Sequence, residues 1–372
     1  MSTVWDVNGW TPLPSLASDV EADVCVVGLG GSGLTAMHEL RARGASAIGI
    51  DAGTVAGGAA GRNGGFLLAG LALPHHRMAA LLGRQRAAAL HRLTLAELER
   101  ISTATPTAVR HTGSLRIEDN REGLADCAEQ AAALRADGFA VQEYDGPEGR
   151  GLLFPDDGVL QPLTRCRLLA AATDAPLFEY TPALSIEPGL VTTPAGSIRC
   201  GAVLVCVDGK LDAVLPELAS VVRTLRLQML ATVPTDEVHI PRPVYLRDGF
   251  EYWQQLPDGR IALGGFRDVG GEAEETDNAA PSEPVQAALH RHLRERIGVT
   301  APVVVRWGAS AGYTRTGLPY VGEVRPRVYA AGGYCGTGNV VGALCGRALA
   351  AMALGESSPA LAFARVSAEV NC

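Results

Sequence analysis

The chain has 372 residues, more than one hydrophobic core usually supports, so we expect two domains. Its 40 acidic residues outnumber its 32 basic ones, for a net charge of -8, and no basic cluster is present, which argues against a nucleic-acid partner. The eight cysteines lack metal-ligand spacing, so no metal site is predicted. Without a visible signal peptide, a reducing cytoplasm is the expected location.

Strand and helix patterns alternate along the chain. The predicted strands cover residues 23–27, 47–50, 114–117, 202–207, 301–306 and 328–331. The predicted helices cover residues 32–43, 84–101, 121–137 and 283–297. Between residues 249 and 266, two alternating strands flank Pro257, Asp258 and Gly259, which predicts a hairpin. This order indicates an α/β domain interleaved with an α+β domain.

Residues 328–346 carry no charge and would be long enough to span a bilayer. Six glycines lie within this segment, and Arg347 follows it immediately. We therefore predict a strand and a glycine loop of a globular domain, with no membrane association.

The first glycine cluster lies in the stretch VCVVGLGGSGLTAM. Residues 24–27 are predicted to form a buried parallel strand and the helix to begin near Ser32, so Gly28, Gly30 and Gly33 form GxGxxG between a strand and a helix. The first glycine permits the tight turn, the second lets backbone amides approach a pyrophosphate, and the third lets the helix pack on the strand. The positive end of the helix dipole would then face the anion.

Asp51 strengthens the prediction of a dinucleotide site. It ends the second predicted strand, 23 residues after Gly28, and the carboxylate that binds the adenosine ribose is expected at about 20 residues. These residues alone leave NAD and FAD open.

Two later glycine segments bear on that choice. Residues 54–66, TVAGGAAGRNGGF, add backbone amides together with Arg62 and Asn63, either as a second grip on an extended FAD or as a flexible surface loop. Residues 332–338 precede a helix predicted to end at Gly355. The start of this helix would stabilise negative charge, with a simple packing loop as the alternative.

Together these segments resemble the FAD-dependent D-amino-acid oxidase superfamily, which includes glycine oxidase, sarcosine oxidase and γ-glutamylputrescine oxidoreductase. The resemblance covers nearly the whole chain and is carried by the order of its pieces. These are VVGLGGSGLTAMHELRARG, AGRNGGF, HTGSLRI, PDDGVLQP, GAVLVCVDG, YWQQLPDGRIALGGFRD, WGASAGYTRTGLPYVG and AAGGYCGTGNVVGALCGRALA. The RNGG sequence is most similar to the amine-oxidising branch.

The resemblance implies a Rossmann-type FAD-binding domain interleaved with an α+β substrate domain on a mostly antiparallel sheet. The implied FAD domain covers residues 1–75, 146–222 and 306–372, and the substrate domain covers residues 76–145 and 223–305. The implied cofactor residues are Gly28, Gly30, Gly31, Ser32, Gly33, Asp51, Ala52, Arg62, Asn63, Gly64, Gly65, Ala183, Gly209, Gly333, Gly336, Thr337 and Gly338.

One position departs from the family pattern. Alignment on Trp307 and Thr314 places Ala311 where amino-acid oxidases of the family carry the arginine that binds the substrate carboxylate. Sarcosine oxidase carries at the same place the cysteine that is joined to FAD. We therefore expect an amine substrate and non-covalent FAD, although Arg267 or Arg315 could bind a carboxylate in a rearranged pocket.

The only lysine in the chain is Lys210, which follows Gly209 at a predicted strand end. Some family members activate oxygen with a lysine beside the flavin, and Lys210 is expected to lie away from that face. Oxygen and another electron acceptor therefore both stay open. Cys335 lies near the ring in the family layout, and we expect it to be a packing residue and not a flavin link.

Aromatic residues are the candidates for the substrate pocket. Alternation along GFEYWQQL places Tyr252 and Gln254 on one face of a strand and Trp253 on the other. By the resemblance, we expect Tyr252 to face the flavin and Trp253 to pack in the core. Trp307 and Tyr334 are the other candidate catalytic residues.

Two charged features have less specific interpretations. His75 and His76 are expected to begin a surface helix. The acidic run at residues 272–277 is expected to be a solvated loop, with attraction of a cationic amine as the alternative.

The sequence thus predicts an FAD-dependent oxidoreductase that oxidises the C–N bond of a small amine or amino-acid derivative to an imine. Hydride transfer reduces the flavin, and O2 is the favoured acceptor. The alternatives are an FAD dehydrogenase with another acceptor, an NAD-linked dehydrogenase, and a flavin-binding partner protein without turnover. Asp51 supports the NAD alternative, whereas the later glycine segments oppose it.

Overall fold

The computed structural model describes residues 2–6 and 9–371, which form two compact units interleaved along the chain. We call residues 9–62, 162–225 and 310–371 the glycine-loop unit, and residues 2–6, 63–161 and 226–309 the hairpin unit. The sequence predicted domain changes after residues 75, 145, 222 and 305, and the two units change between residues 6 and 9 and after residues 62, 161, 225 and 309. The functions predicted for the two domains stay predictions.

The structure contains strands, α-helices and short 3-10 turns. The strands are β1 Val20–Val27, β2 Ala47–Ile50, β3 Phe66–Leu67, β4 Val109–His111, β5 Ser114–Glu118, β6 Gln142–Gly146, β7 Gly149–Phe154, β8 Gly158–Leu160, β9 Leu177–Phe178, β10 Ser185–Glu187, β11 Leu190–Thr193, β12 Gly196–Val205, β13 Arg223–Thr232, β14 Val244–Leu246, β15 Glu251–Gln255, β16 Ile261–Gly265, β17 Val303–Tyr313, β18 Tyr320–Arg325 and β19 Val328–Gly332. The α-helices are α1 Gly31–Ala42, α2 His75–Leu82, α3 Arg84–Ala104, α4 Arg121–Ala136, α5 Pro162–Ala171, α6 Leu211–Val214, α7 Arg267–Gly270, α8 Glu283–Glu295, α9 Val341–Leu354 and α10 Leu361–Val370. Short 3-10 turns lie at Ala59–Gly61, Pro106–Ala108, Pro216–Leu218, Arg247–Gly249 and Gly271–Glu274.

The sheet of the glycine-loop unit is parallel at its centre. Its strands run in the order β19, β12, β1, β2 and β9, all parallel, and β10, β11 and β18 extend it by antiparallel pairing. The second half of β1 and all of β2 are buried, as strands covered on both faces should be. Helix α1 follows β1 and α9 follows β19, which confirms the predicted Rossmann-type α/β fold.

The hairpin unit contains a mostly antiparallel sheet, as predicted. Its strand order is β17, β13, β16, β15, β14, β5, β7 and β6, with β14 and β5 parallel. The predicted hairpin is confirmed, because β15 pairs antiparallel with β16 from Glu251 opposite Gly265 to Gln255 opposite Ile261. Trp253 is buried in the core of this unit, which confirms its expected packing role.

A small sheet of β3, β8 and β4 also lies in the hairpin unit and was not predicted. Its strands have two or three residues, too few for alternation to be recognised. Strand β17 is also longer than the predicted strand at residues 301–306. The reason lies in its small residues: a Cβ on Gly308 would lie 2.6 Å from the carbonyl oxygen of Ala279, so close backbone packing replaces the usual bulky strand residues.

The uncharged segment 328–346 divides between β19, a loop and the first turns of α9, as predicted. Gly355 ends α9 in the left-handed conformation with φ of 68°. Within residues 2–6 and 9–371, no helix combines the length and the apolar character needed to cross a bilayer.

Candidate functional site

The candidate site begins at one edge of the parallel sheet in the glycine-loop unit. Because β1, β2 and β12 are parallel and pair Val27 with both Ile50 and Val205, their carboxyl ends lie at the same edge. The GxGxxG turn and Asp51 follow the ends of β1 and β2 directly, and Asp208 lies three residues after the end of β12. Ligands of doubly wound folds bind outside this edge.

The GxGxxG turn has no space for side chains. Gly28 has φ of 101°, and a Cβ on it would lie 2.7 Å from the carbonyl oxygen of Cys206. A Cβ on Gly33 would overlap the carbonyl oxygen of Gly28, and one on Gly30 would lie 3.2 Å from the Cβ of Ala60. Gly28 and Gly33 therefore have the turn and packing roles predicted for them, the turn presents bare backbone, and the approach of a pyrophosphate at Gly30 stays a prediction.

The N-terminus of α1 is suited to an anion. The helix begins at Gly31, no side chain caps it, and its first turn contains no acidic residue. The Ser32 side chain is buried in this first turn, beside the Cys206 thiol and the Tyr334 hydroxyl. Free donors at the positive end of a helix dipole fit a pyrophosphate.

Asp51 occupies the position expected for the ribose-binding carboxylate. Its Oδ2 accepts a hydrogen bond from the amide of Leu29 at 2.8 Å, and its Oδ1 accepts one from the amide of Gly53 at 2.8 Å. Burial raises the pKa of Asp51, and these two amide hydrogen bonds oppose the effect. A carboxylate has about four acceptor positions, so lone pairs remain for sugar hydroxyls.

Glu179 is a second carboxylate in this unit, and the sequence pattern did not identify it. It is fully buried and accepts hydrogen bonds from the amide of Val55 at 2.7 Å, the amide of Leu13 at 2.9 Å and the indole of Trp10 at 3.2 Å. It thereby fixes the segment that follows Asp51. A single glutamate outside any motif carries no sequence signal for this role.

Asp208 joins two segments of the glycine-loop unit and was also missed. Its Oδ1 accepts from the amides of Gly333 at 3.0 Å and Tyr334 at 3.3 Å, and its Oδ2 accepts from the amide of Gly312 at 3.1 Å. Burial raises the pKa of Asp208 to about 6, against the opposing effect of these hydrogen bonds. An acidic residue directly after a buried strand was the available clue.

The loop before α9 is ordered by its own residues. Thr337 donates to the carbonyl of Tyr334 from its amide at 2.9 Å and its hydroxyl at 2.7 Å, and Gly336 has φ of 88°. The Tyr334 ring lies against the backbone of Gly338, and its hydroxyl donates to the carbonyl of Ala331 at 3.3 Å. Burial raises the pKa of Tyr334 well above its usual value. Tyr334 thus packs inside this unit, and its catalytic role stays a prediction.

In the hairpin unit, Tyr252 and the RNGG segment lie together. A Cβ on Gly64 would lie 2.9 Å from the half-buried Tyr252 ring, and Gln254 donates from Nε2 to the carbonyl of Gly64 at 2.5 Å. The amide of Gly65 donates to Oδ1 of Asn63 at 2.8 Å. The shared face of Tyr252 and Gln254 is therefore confirmed, whereas contact with the flavin stays a prediction.

The position where the resemblance places the carboxylate-binding arginine is occupied by a buried alanine. Ala311 is 7% exposed in β17. Arg315 is exposed, and the Arg267 guanidinium lies over the Phe250 ring at 4.2 Å from its centre. Trp307 is fully buried in β17, and its predicted role is untested.

Lys210 and Cys335 lie in the glycine-loop unit. Lys210 is exposed beside the start of α6. The Cys335 thiol accepts a hydrogen bond from the amide of Thr314 at 3.3 Å and donates to the carbonyl of Gly333 at 3.3 Å. These contacts are those of a loop-packing residue.

The remaining predicted cofactor residues lie in connecting segments of the glycine-loop unit. Ala52 is exposed directly after Asp51, Ala183 is half-buried against the core, and Gly209 is buried. Arg62 is half-buried and closes the short turn Ala59–Gly61. Their contacts with FAD stay predictions.

His75 and His76 begin α2, as expected, but His75 does not lie on the surface. It is buried and its Nε2 lies 2.7 Å from Oδ2 of Asp137, while Nε2 of His76 lies 3.0 Å from Oδ1 of Asp126. Both histidines therefore attach α2 to α4.

The acidic run at residues 272–277 is mostly exposed, as expected, with one exception. Glu274 is buried and pairs with Arg226. The described residues contain no group of three or more histidine, cysteine, aspartate or glutamate side chains placed to hold a metal ion.

Comparison with known proteins identifies the family. The family model described as FAD dependent oxidoreductase matches residues 23–352. The chain is 29% identical to the probable oxidoreductase OrdL of Rhizobium meliloti, over 93% of this chain and 86% of that protein. It is 26% identical to the gamma-glutamylputrescine oxidoreductase of Escherichia coli, over 96% of this chain and 90% of that protein. The resemblance inferred from the motifs is confirmed.

Solved structures show the same fold at low sequence identity. Glycine oxidase from Geobacillus kaustophilus matches with a TM-score of 0.74 and 20% identity, over 91% of this chain and 96% of that one. L-proline dehydrogenase from P. horikoshii matches with a TM-score of 0.74 and 17% identity, over 96% and 99% of the two chains.

Proposed function

Because the chain belongs to the FAD-dependent oxidoreductase family, we propose that it oxidises the C–N bond of a small amine, using non-covalently bound FAD. Bound FAD supplies the acceptor for the hydride that leaves the carbon next to nitrogen. The observation that supports an amine substrate is the buried Ala311. This alanine lies where the resemblance places the carboxylate-binding arginine of amino-acid oxidases.

The residues of the glycine-loop unit fit this cofactor. The bare backbone at Gly28–Gly33 and the uncapped start of α1 would hold the pyrophosphate, and Asp51 would accept from the ribose hydroxyls. Helix α9 follows the loop that contains Gly336, Thr337 and Gly338. The positive N-terminal end of this helix would favour negative charge on the reduced flavin ring.

Non-covalent binding is supported by side-chain chemistry. Alanine at position 311 offers no sulfur for a thioether bond where the resemblance places the linking cysteine of sarcosine oxidase. The Cys335 thiol is already engaged with the backbone of Thr314 and Gly333.

The substrate would be oriented and desolvated by the protein. A neutral amine reacts more readily than an ammonium, and a site that excludes water favours the neutral form. We assign the flavin-facing position in the hairpin unit to Tyr252, with Trp307 and Tyr334 as further candidates, and no side-chain base is required. The similarity to a gamma-glutamylputrescine oxidoreductase supports an amine substrate.

Oxygen is the acceptor we propose, and a dehydrogenase using another acceptor is the alternative. Structural relatives carry both kinds of name, glycine oxidase and L-proline dehydrogenase. The acceptor must therefore be measured separately from the substrate.

Anaerobic mixing of the purified yellow protein with a panel of amines and amino acids tests the reaction class. We expect small amines without an α-carboxylate to bleach the flavin absorbance, and carboxylate-bearing amino acids to react at least about tenfold more slowly, because they lose about 1.4 kcal/mol or more without a paired arginine. Readmission of air should restore the absorbance if oxygen is the acceptor.

Two outcomes would contradict this proposal in different ways. Bleaching by amino acids alone would show that the interpretation of Ala311 is wrong. Absence of bleaching by every compound in the panel would favour a flavin-binding partner protein without turnover.

A further inference from the structure

A turn near the start of the chain is anchored in the hairpin unit. The amide of Thr3 donates to Oδ2 of Asp6 at 2.7 Å, and the amide of Trp5 donates to the Thr3 hydroxyl at 3.1 Å. Val4 and Trp5 are only 5% and 3% exposed. The turn therefore seats two apolar side chains inside the protein.

The Trp5 side chain packs on the RNGG segment. Its indole nitrogen donates to the carbonyl of Asn63 at 2.8 Å. Its ring edge would lie 3.1 Å from a Cβ on Gly65, so the ring covers the glycine backbone directly. Gly65 has φ of 72°, a conformation that favours glycine.

Two glutamine side chains complete this arrangement. Nε2 of Gln161 donates to the carbonyl of Trp5 at 2.7 Å, and Nε2 of Gln254 donates to the carbonyl of Gly64 at 2.5 Å. The carbonyl oxygens of Asn63 and Gly64 therefore each accept a hydrogen bond from a buried side chain. With both carbonyl directions fixed, the orientation of the peptide planes between them is restricted.

We propose that Trp5 is a positioning residue that holds Asn63–Gly65 in the conformation that binds flavin, which makes the turn at residues 3–6 part of the cofactor site. The inference rests on the proposed function, in which this segment grips FAD. A tryptophan suits the role because its ring covers backbone and its nitrogen donates one directed hydrogen bond.

The test uses the full-length protein with Trp5→Phe and Trp5→Ala. Phenylalanine keeps most of the ring and removes the donor, so loss of one hydrogen bond should weaken FAD binding about fivefold, measured by titrating flavin fluorescence with apoprotein. Alanine should weaken it further. The visible spectrum of the bound flavin should also change, because the adjacent backbone is less fixed.

Trp253→Phe is the matched control. Trp253 is buried in the core of the hairpin unit, on the strand face opposite Tyr252, so this variant makes the same side-chain change without touching Asn63–Gly65. We expect an unchanged flavin spectrum for this variant. Thermal unfolding of each apoprotein shows whether the variants fold.

A Trp5→Phe protein that folds, binds FAD with the affinity of the wild type and gives the same flavin spectrum would overturn the proposal. This result would assign Trp5 to core packing only. A wild-type protein that fails to bind FAD would instead overturn the proposed function, so the two failures are distinguishable.

Discussion

A Gly33→Ala variant is expected to lose most of its affinity for FAD. The added methyl group would overlap the carbonyl oxygen of Gly28, which is backbone and cannot rotate away. Helix α1 must therefore move from the turn, and overpacking of this kind costs about 1–3 kcal/mol. Because the FAD-binding conformation of the turn is destabilised by this free energy, FAD affinity should fall by about 10- to 100-fold. Titration of the apoprotein with FAD measures the affinity.

Arg41→Ala is the control for this variant. It also places alanine in α1, but at an exposed position in the last turn of the helix, away from the glycine turn. Its FAD affinity should remain within about twofold of the wild type, since an exposed surface substitution costs under about 0.5 kcal/mol. Equal affinities for the two variants would show that the turn does not carry the pyrophosphate.

Among the single substitutions that we consider in the hairpin unit, Glu274→Ala is expected to lower the free energy of unfolding the most. Arg226 donates from Nε and Nη2 to the two oxygens of Glu274, each at 2.7 Å, and Gln228 and Ser282 donate to the same carboxylate. Removing the carboxylate leaves the buried guanidinium without a counter-charge, hydrogen-bonded to the backbone carbonyls of Ala273, Asn278 and Ala280, which costs about 3–5 kcal/mol. Denaturant unfolding at pH 7 measures the loss.

The pH dependence of this pair has a defined direction. Burial alone would raise the pKa of Glu274, but hydrogen bonds from Arg226, Gln228 and Ser282 outweigh it and lower the pKa. A lowered pKa in the folded state means that the pair stabilises the protein above the ordinary glutamate pKa and loses this contribution as the pH falls. The difference in unfolding free energy between wild type and variant should therefore shrink at acidic pH.

Two further proteins test the cause of the loss at Glu274. Glu272→Ala removes an exposed carboxylate from the same acidic run and should change stability by less than about 0.5 kcal/mol. The double variant Arg226→Met with Glu274→Met removes both charges and should lose less stability than Glu274→Ala. A double variant that is less stable than the single one would indicate that the buried pair itself, and not the unpaired charge, carries the energy.

The elements with strong local patterns were predictable from sequence. Helix α1, the hairpin of β15 and β16 and the stop of α9 at Gly355 were predicted because apolar spacing and turn residues lie next to each other in the chain. The GxGxxG turn and Asp51 were predictable because the nucleotide fold places them at a regular distance.

The residues that support the site could not be predicted in the same way. Trp5, Glu179 and Asp208 act on backbone groups that are far from them in sequence, at Asn63, Val55 and Gly333 among others. Nothing in a single sequence links such pairs, because their approach depends on tertiary packing.

We propose that backbone donors from separate glycine segments hold one FAD without a covalent bond. Heating the purified protein and separating precipitate from supernatant tests it most directly. We predict a yellow protein before heating and about one FAD per chain in the supernatant afterwards. A colourless folded protein that takes up no added FAD, or colour that stays with the precipitated chain, would contradict the account.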